Sequence, residues 1–220
     1  MTAIVTGAAR GIGLAVAERL AAEHDVLRVD LDPSVEEFGG IVADVTDPDG
    51  RARIVEAAGG VSVLVNNAGI TRDARIVKMT EEDFLAVIRI NLGAAYELTR
   101  ACTFADGASV VSLASRAYLG NFGQFNYSMS KGGLVGMTRA LALELAPRVR
   151  VNAIAPSLTA SEMTKAMPAK VLDKMIASIP LGRMAEPEEI AETIAALASP
   201  ATAYVTGQVV VACGGRSLAP

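Results

Sequence analysis

The stretch Ala3-Ile4-Val5-Thr6-Gly7-Ala8-Ala9-Arg10-Gly11-Ile12-Gly13 decides the fold. It opens as a short apolar strand and breaks into a glycine-rich turn. Ile12, Val16 and Leu20 then recur every four residues, as one face of a helix does. Strand, glycine turn and helix in this order can cradle a pyrophosphate. The glycines permit a tight turn and close backbone approach, and the helix N-terminus offers free N–H groups and positive potential. Gly7, Arg10, Gly11, Ile12 and Gly13 are therefore candidate phosphate-side residues.

The next strand ends in Asp30, at the distance beyond a glycine turn where an acid meets the adenosine ribose. A carboxylate there accepts from both ribose hydroxyls and repels a 2′-phosphate, which favours NAD(H). Arg10 and Arg28 argue the other way, since either can pair with a phosphate, so NADP(H) stays possible. The plainer alternative is a glycine turn without a ligand and a solvated acid, and the combination weighs against it.

Working outward, strands are expected at residues 3–6, 26–30, 40–43, 61–65, 109–113, 149–154 and 208–212. Most are apolar throughout, as in a parallel sheet covered on both faces. Helical patterns lie between them. Asp47-Pro48 reads as an N-cap followed by proline at the first helical position. Thr80 caps a helix with Glu81, Glu82 and Asp83 in its first turn. Glu186-Pro187-Glu188-Glu189 opens another that runs to about Ala198. Repeated strand–helix units with right-handed crossovers give one α/β domain over residues 1–220. Its expected architecture is a doubly wound (Rossmann), mostly parallel seven-stranded sheet with helices on both faces. Polar and small residues gather at later strand ends, where such sheets bind ligands. Asp44 and Val45 follow the third strand, where a carboxylate can meet an adenine amino group. Asn66-Asn67-Ala68-Gly69 follows the fourth, making Asn67, Ala68 and Gly69 candidates. The stretch from Pro156 to Pro180 is an excursion, and residues near 157–185 form a candidate lid. Met163, Met167 and Met175 suit either a mobile cover over an apolar substrate or ordinary core.

Composition narrows the function classes. Hydrophobic residues make up 51% of the 220, enough for a large core, and 20% charge excludes a disordered chain. A net charge of −4 gives no reason to expect nucleic acid as a partner. No apolar run is long enough to span a bilayer, and no leader pattern precedes the first strand, so no membrane and a cytoplasmic location are expected. Cys102 and Cys213 lack metal spacing and are expected to be free. The single histidine, His24, leaves no Ser–His or histidine–metal mechanism, and no metal is expected.

Tyr127 and Lys131 are four residues apart, so on a helix they share a face. An adjacent ammonium would stabilise the phenolate and lower the phenol pKa towards the working range. Tyr127 can then protonate an alkoxide formed as hydride arrives from a nicotinamide. Such a pair alone is usually a surface pair, and the nucleotide loop gives this one its meaning. Ser115, after the run Val110-Val111-Ser112-Leu113-Ala114, can donate to a carbonyl oxygen as part of an oxyanion hole. Ser112 is the competing hydroxyl, within the strand. Asn91 falls on the apolar stripe of Phe84, Ile88, Ala95 and Leu98. A buried amide needs partners; it is either a core amide satisfied by backbone or part of the site.

Thr6-Gly7-x-x-x-Gly11-x-Gly13, Asn66-Asn67-Ala68-Gly69 and Tyr127-x-x-x-Lys131, in this order over nearly the whole chain, resemble the short-chain dehydrogenase/reductase family. Gly69-Ile70-Thr71-Arg72-Asp73 and Tyr204-Val205-Thr206-Gly207-Gln208 resemble its beta-ketoacyl-acyl-carrier-protein reductase branch. The resemblance implies hydride transfer between NAD(P)H and a carbonyl or secondary alcohol, with reduction of a 3-oxoacyl thioester on acyl carrier protein or coenzyme A as the leading reading. A general alcohol, polyol or steroid dehydrogenase is the alternative, and a non-catalytic dinucleotide sensor the remote one. It also implies that Lys131 holds the nicotinamide ribose and that Asn91 holds a water passing protons to Lys131. By the same resemblance, Pro156, the Thr159 backbone and the Ser161 hydroxyl grip the carboxamide, and the chain forms a homotetramer. The small, apolar stretch Gly132-Gly133-Leu134-Val135-Gly136-Met137 suits close helix packing. Three departures stand out. Ser157 replaces a usual glycine, Cys213 replaces a common aspartate, and the loop from Ser115 to Tyr127 is one residue short. The segment Thr103-Phe104-Ala105-Asp106-Gly107-Ala108 also lacks the basic residues an acidic carrier would dock on, leaving Arg100, Arg139, Arg148 and Arg150 to supply them. That lack favours a coenzyme A ester or small ketone as substrate.

Overall fold

The computed structural model describes residues 1–161, 164 and 167–218. Seven strands form one sheet: β1 (Thr2–Thr6), β2 (Asp25–Asp30), β3 (Ile41–Val42), β4 (Gly60–Asn66), β5 (Thr103–Leu113), β6 (Val149–Pro156) and β7 (Val209–Ala212). Their order is β3-β2-β1-β4-β5-β6-β7, and each of the neighbouring pairs runs parallel. The winding reverses between β1 and β4, which opens a crevice at their carboxyl ends.

Helices cover both faces because successive side chains of each strand point to opposite sides. Ala3 and Val5 pack with α1 (Gly11–Leu20) and with the late helix Pro187–Ala198. Ile4 points the other way, into a cluster with Ile54 of α2 (Pro48–Ala58), Leu98 and Leu141. Leu98 lies on α4 (Ala94–Ala101), which a π-helical turn, Arg89–Gly93, joins to α3 (Glu81–Ile88). Leu141 lies on α5 (Phe125–Glu144). A shorter helix, α6 (Ala169–Ala177), stands within the excursion after β6, so Pro187–Ala198 is α7. The expected caps are present. The Asp47 side chain accepts from the Gly50 N–H at 3.0 Å, and Thr80 accepts from Asp83 N–H at 3.1 Å. Glu189 accepts from the Glu186 N–H at 2.9 Å and opens α7.

Strand extents differ from expectation, that of β5 by the most. β5 starts at Thr103 rather than at residue 109, because Thr103 and Phe104 pair with Gly60 and Val61 before the register shifts. Gly107, with φ +81°, lies in the irregular stretch, so Asp106-Gly107 reads locally as a turn although it lies within a strand. β3 shrinks to two residues. Among the described residues no helix is long and apolar enough to cross a membrane.

Candidate active site

The glycine turn between β1 and α1 is bolted to the end of β4. The Asn67 side-chain amide donates to the Thr6 and Gly7 carbonyls at 2.8 and 2.9 Å. The Thr6 hydroxyl accepts from the N–H groups of Asn67 and Ala68, both at 3.1 Å. A Cβ on Gly13 would stand 1.9 Å from the Gly7 carbonyl oxygen, so only glycine fits there. Gly11 takes φ +56° and faces open space, leaving room for a ligand over the helix start. Asp30 is ordered before any ligand arrives: its carboxylate accepts from Ala9 N–H at 2.9 Å and Asp32 N–H at 3.0 Å. Arg10 turns to Asp32 at 3.4 Å, and the Arg28 guanidinium donates to the Phe38 carbonyl at 3.1 Å. The carboxylate of Asp44 takes both the N–H and the hydroxyl of Thr46, at 2.7 and 2.8 Å. Val45 and Ala68 border a cavity of about 10 Å³ against α4. Free helix-end donors, space above Gly11 and a preset carboxylate fit a dinucleotide.

The second cluster lies where β5 ends and α5 begins. Ser115 is the N-cap of a short 3-10 helix, Arg116–Leu119, and accepts from the Ala117 N–H at 3.2 Å. Its hydroxyl also hydrogen-bonds the Tyr127 side chain and pulls that phenol's pKa down. Burial is the larger effect, however, and with the charge of Asp73 it leaves the Tyr127 pKa above its ordinary value. This differs from the expected ammonium-lowered phenol, because Lys131 is engaged elsewhere. The Lys131 ammonium donates to the Leu113 carbonyl at 2.6 Å and stands 5.6 Å from the Tyr127 ring centre. Its side chain is 3% exposed, and that burial lowers its pKa to about 8. Ser112, the competing hydroxyl, is buried in β5, and among the described residues its oxygen has no partner.

Asn91 is 1% exposed and sits in the π-helical turn, a local irregularity that functional sites often use. Its amide brackets the Ile70 peptide, accepting from N–H at 2.8 Å and donating to C=O at 3.0 Å, and also donates to Ser130 at 3.1 Å. Backbone and the Ser130 hydroxyl thus satisfy this amide. A Cβ on Gly69 would lie 3.1 Å from the Asn91 carboxamide oxygen and 3.6 Å from the Lys131 ammonium, so these three residues meet. Thr6, Ser130 and Asn126 are supporting residues the sequence reading passed over. Asn126 donates to the Arg72 and Asp83 carbonyls and ties the segment after β4 to α5. Only the Thr6 position, just before the glycine turn, carried a local signal.

Past β6, Pro156 pairs with Ala212 and Ser157 donates to the Ala212 carbonyl at 3.1 Å. Among the described residues only glycines have positive φ, so a serine at 157 is unstrained. Thr159 bridges Ala185, and Ser161 exchanges hydrogen bonds with Thr164. Met163 lies outside the described residues. Met167 and Met175 are half-buried, and α6 has no buried residue, as suits a cover more than a core helix.

A parallel sheet wound in this order, with a glycine turn, an acid at the end of β2 and a Ser–Tyr–Lys cluster along one crevice, defines a dinucleotide-dependent α/β oxidoreductase. The chain matches the family profile described as Enoyl-(Acyl carrier protein) reductase over residues 7–217. It is 42% identical to the 3-oxoacyl-[acyl-carrier-protein] reductase FabG of Thermotoga maritima, covering 96% of each chain. It is 37% identical to the (3R)-3-hydroxyacyl-CoA dehydrogenase of Rattus norvegicus, covering 97% of this chain and 95% of that one. It superposes with a TM-score of 0.92, at 35% identity over 98% of its length and 96% of the other's, on the crystal structure of a Short-chain dehydrogenase/reductase SDR:Glucose/ribitol dehydrogenase from Brucella melitensis. The chain belongs to the short-chain dehydrogenase/reductase family, and it is an oxidoreductase that uses a nicotinamide cofactor.

Proposed function

We propose that the protein reduces the ketone of a 3-oxoacyl thioester, with coenzyme A as the carrier. The observation that carries this reading is the meeting of Ser115, Tyr127 and Lys131 beside the glycine cradle. A bound nicotinamide dinucleotide supplies the hydride. Ser115 donates to the carbonyl oxygen and holds it at the Tyr127 hydroxyl. The raised phenol pKa keeps Tyr127 protonated at neutral pH, so it stands ready to give its proton to the developing alkoxide. Lys131 and Asn91, meeting at Gly69, hold the path along which that proton is replaced, and Lys131 also holds the nicotinamide ribose. Gly7, Arg10, Gly11, Ile12 and Gly13 bind the pyrophosphate, and Asp30 takes the ribose hydroxyls. Asp44, Val45, Asn67, Ala68 and Gly69 line the adenosine side, and Pro156, Thr159 and Ser161 the carboxamide. NAD(H) is favoured, because the Asp30 carboxylate faces the ribose site while Arg10 and Arg28 have other partners.

Of the four arginines weighed as a dock for an acidic carrier protein, three are engaged, which supports coenzyme A. Arg148 is paired with Asp106 at 2.6 Å, and Arg150 donates to the Leu197, Ala198, Ser199 and Val205 carbonyls. Arg100 lies over the Tyr96 ring, so Arg139 alone of the four stays without a partner among the described residues. A polyol or alcohol substrate is the second reading, favoured by the match to the Brucella structure. Assembly as a cytoplasmic homotetramer through α5 belongs to the same proposal. Gly132 and Gly136 face open space and Leu143 is 83% exposed, whereas Gly133 packs inward on Leu92. The test is the initial rate of acetoacetyl-CoA reduction with NADH and with NADPH. A rate with NADH alone supports both the thioester and Asp30 as the ribose ligand. Preference for NADPH overturns the cofactor choice, and no rate with cofactor-binding protein overturns the thioester reading.

A further inference from the structure

The helix that carries Tyr127 begins without the devices that fix its neighbours. Helices α2 and α3 each start on a side-chain cap, Asp47 and Thr80. At the start of α5, Gln124 occupies the N-cap position and makes no side-chain cap bond. The first turn, Phe125-Asn126-Tyr127-Ser128, also holds no acid to meet the positive end of the helix dipole. Tyr127 is only the third helical residue, so any looseness in where α5 begins passes directly to its phenol.

The restraint comes from another part of the chain. The segment after β4 lies against the start of α5: Ala74 N–H donates to the Gly123 carbonyl at 2.9 Å, and Ala74 bridges Gln124. Both ends of the Gln124 side-chain amide are engaged. Its Nε2 donates to the Asp73 carboxylate at 2.8 Å, and its Oε1 accepts from Asn121 Nδ2 at 2.6 Å. The backbone carbonyl of the same residue accepts from Ser128 N–H at 2.7 Å, closing the first turn of α5. Gln124 is thus both the first acceptor of the helix and the residue that Asp73 grips. A hydrogen bond to an ionised acceptor is stronger than a neutral one. Asp73 also puts a carboxylate on the N-cap residue, where the dipole favours negative charge and the helix supplies none of its own. Asn126, by contrast, holds the same segment from within the helix, through the Arg72 carbonyl, and leaves the cap residue itself unfixed. Asp73 is exposed, so a substitution there releases the grip without opening the core.

We propose that Asp73 is a positioning residue for the reduction: by holding Gln124 it fixes the start of α5, and so the place of the Tyr127 hydroxyl against the carbonyl oxygen that Ser115 holds. This rests on the function proposed above and adds a residue outside the cluster of Asn91, Ser115, Tyr127 and Lys131. Proton transfer is steep in distance, and a displacement of about 1 Å in a reacting group costs up to about a hundredfold in rate.

The test measures kcat and KM for acetoacetyl-CoA and the Kd for NADH, at neutral pH, in the parent, Asp73→Ala, Asp73→Asn and Gln124→Met. Asp73→Ala is also combined with Tyr127→Phe. In Asp73→Ala, kcat should fall about tenfold while KM and the NADH Kd stay within about twofold, the split expected of a misplaced reacting group. Gln124→Met, which removes the donor of the same bond, should match it. Asp73→Asn should keep most of the parent's kcat, because its carboxamide oxygen still accepts from Gln124. In the Tyr127→Phe background Asp73→Ala should cost nothing further, since an absent hydroxyl cannot be misplaced. A general loss of folded enzyme would instead lower both backgrounds alike. An unchanged kcat in Asp73→Ala or Gln124→Met, an Asp73→Asn no better than Asp73→Ala, or the same fold-loss with and without the Tyr127 hydroxyl overturns the proposal and leaves the thioester reading intact. If the parent reduces no thioester, the function reading fails, and amide hydrogen exchange over residues 125–131 decides the tie. Faster exchange in Asp73→Ala, with Asp73→Asn close to the parent, supports it, and unchanged exchange in Asp73→Ala overturns it.

Discussion

The two halves of the crevice are built from different materials. Below β1 to β4 the dinucleotide side consists of backbone and of short polar groups already hydrogen-bonded to backbone: Asn67 on the Thr6 and Gly7 carbonyls, Asp30 on two N–H groups, Asp44 on Thr46. Beyond β5 the carbonyl side consists of ionisable side chains in poorly solvated places: Tyr127 raised by burial and Lys131 lowered by it. The first half is stable as it stands and gains a ligand at little cost. The second holds groups whose charged forms the fold itself disfavours. Stability and chemistry should therefore respond in opposite senses on the two sides.

Lys131→Met tests that contrast most severely. Methionine keeps the bulk and removes a buried charge, so kcat should fall about 10³-fold, as loss of a proton-handling group does. Stability at pH 7 should rise by about 1–2 kcal/mol in urea melts, the usual gain when a buried charge becomes apolar, offset by the abandoned Leu113 carbonyl. The sign follows from linkage. A lysine whose pKa drops from 10.5 to about 8 on folding contributes stability present above 10.5 and lost as pH falls through about 8. Parent and variant melts should converge as pH rises through that window. A less stable variant at pH 7 would break the comparison.

Ser115→Ala should lower kcat about 10²-fold, the cost of one oxyanion donor. It also removes the hydrogen bond that holds the Tyr127 pKa down, so the alkaline limb of the pH–rate profile for ketone reduction should move upward. An unmoved limb would mean that Ser115 touches only substrate. Asp30→Ala should raise the KM for NADH about tenfold, the loss of a charged acceptor. It should also destabilise the protein slightly, since the Ala9 N–H loses its partner. The sign is opposite to that of Lys131→Met, as the contrast between the halves requires. Asn126→Ala should have the smallest effect, loosening the tie between α5 and the Arg72 carbonyl and raising substrate KM a few-fold with kcat kept.

The same division decides what the sequence could reveal. The dinucleotide side was legible because its parts are contiguous: a strand, a glycine turn, a helix start and an acid at a strand end each announce themselves within a few residues. Tyr127 and Lys131 were legible as one helical turn. Ser115 was distinguishable from Ser112 because the apolar run ends at Leu113, where β5 also stops. The early start of β5 was hidden because pairing with Gly60 and Val61 overrides a local turn signal at Asp106-Gly107. The brackets made by Asn91 on Ile70, by Asn126 on Arg72 and by Arg150 on the end of α7 join residues far apart in the chain. No local pattern encodes such pairs.

The most direct measurement is NADH affinity and acetoacetyl-CoA turnover in Tyr127→Phe, side by side with the parent. The account predicts an NADH Kd within a few-fold of the parent and turnover reduced about 10³-fold or more, because the phenol proton is lost while the cradle is untouched. Turnover close to the parent's with NADH still bound would contradict the claim that Tyr127 delivers the proton.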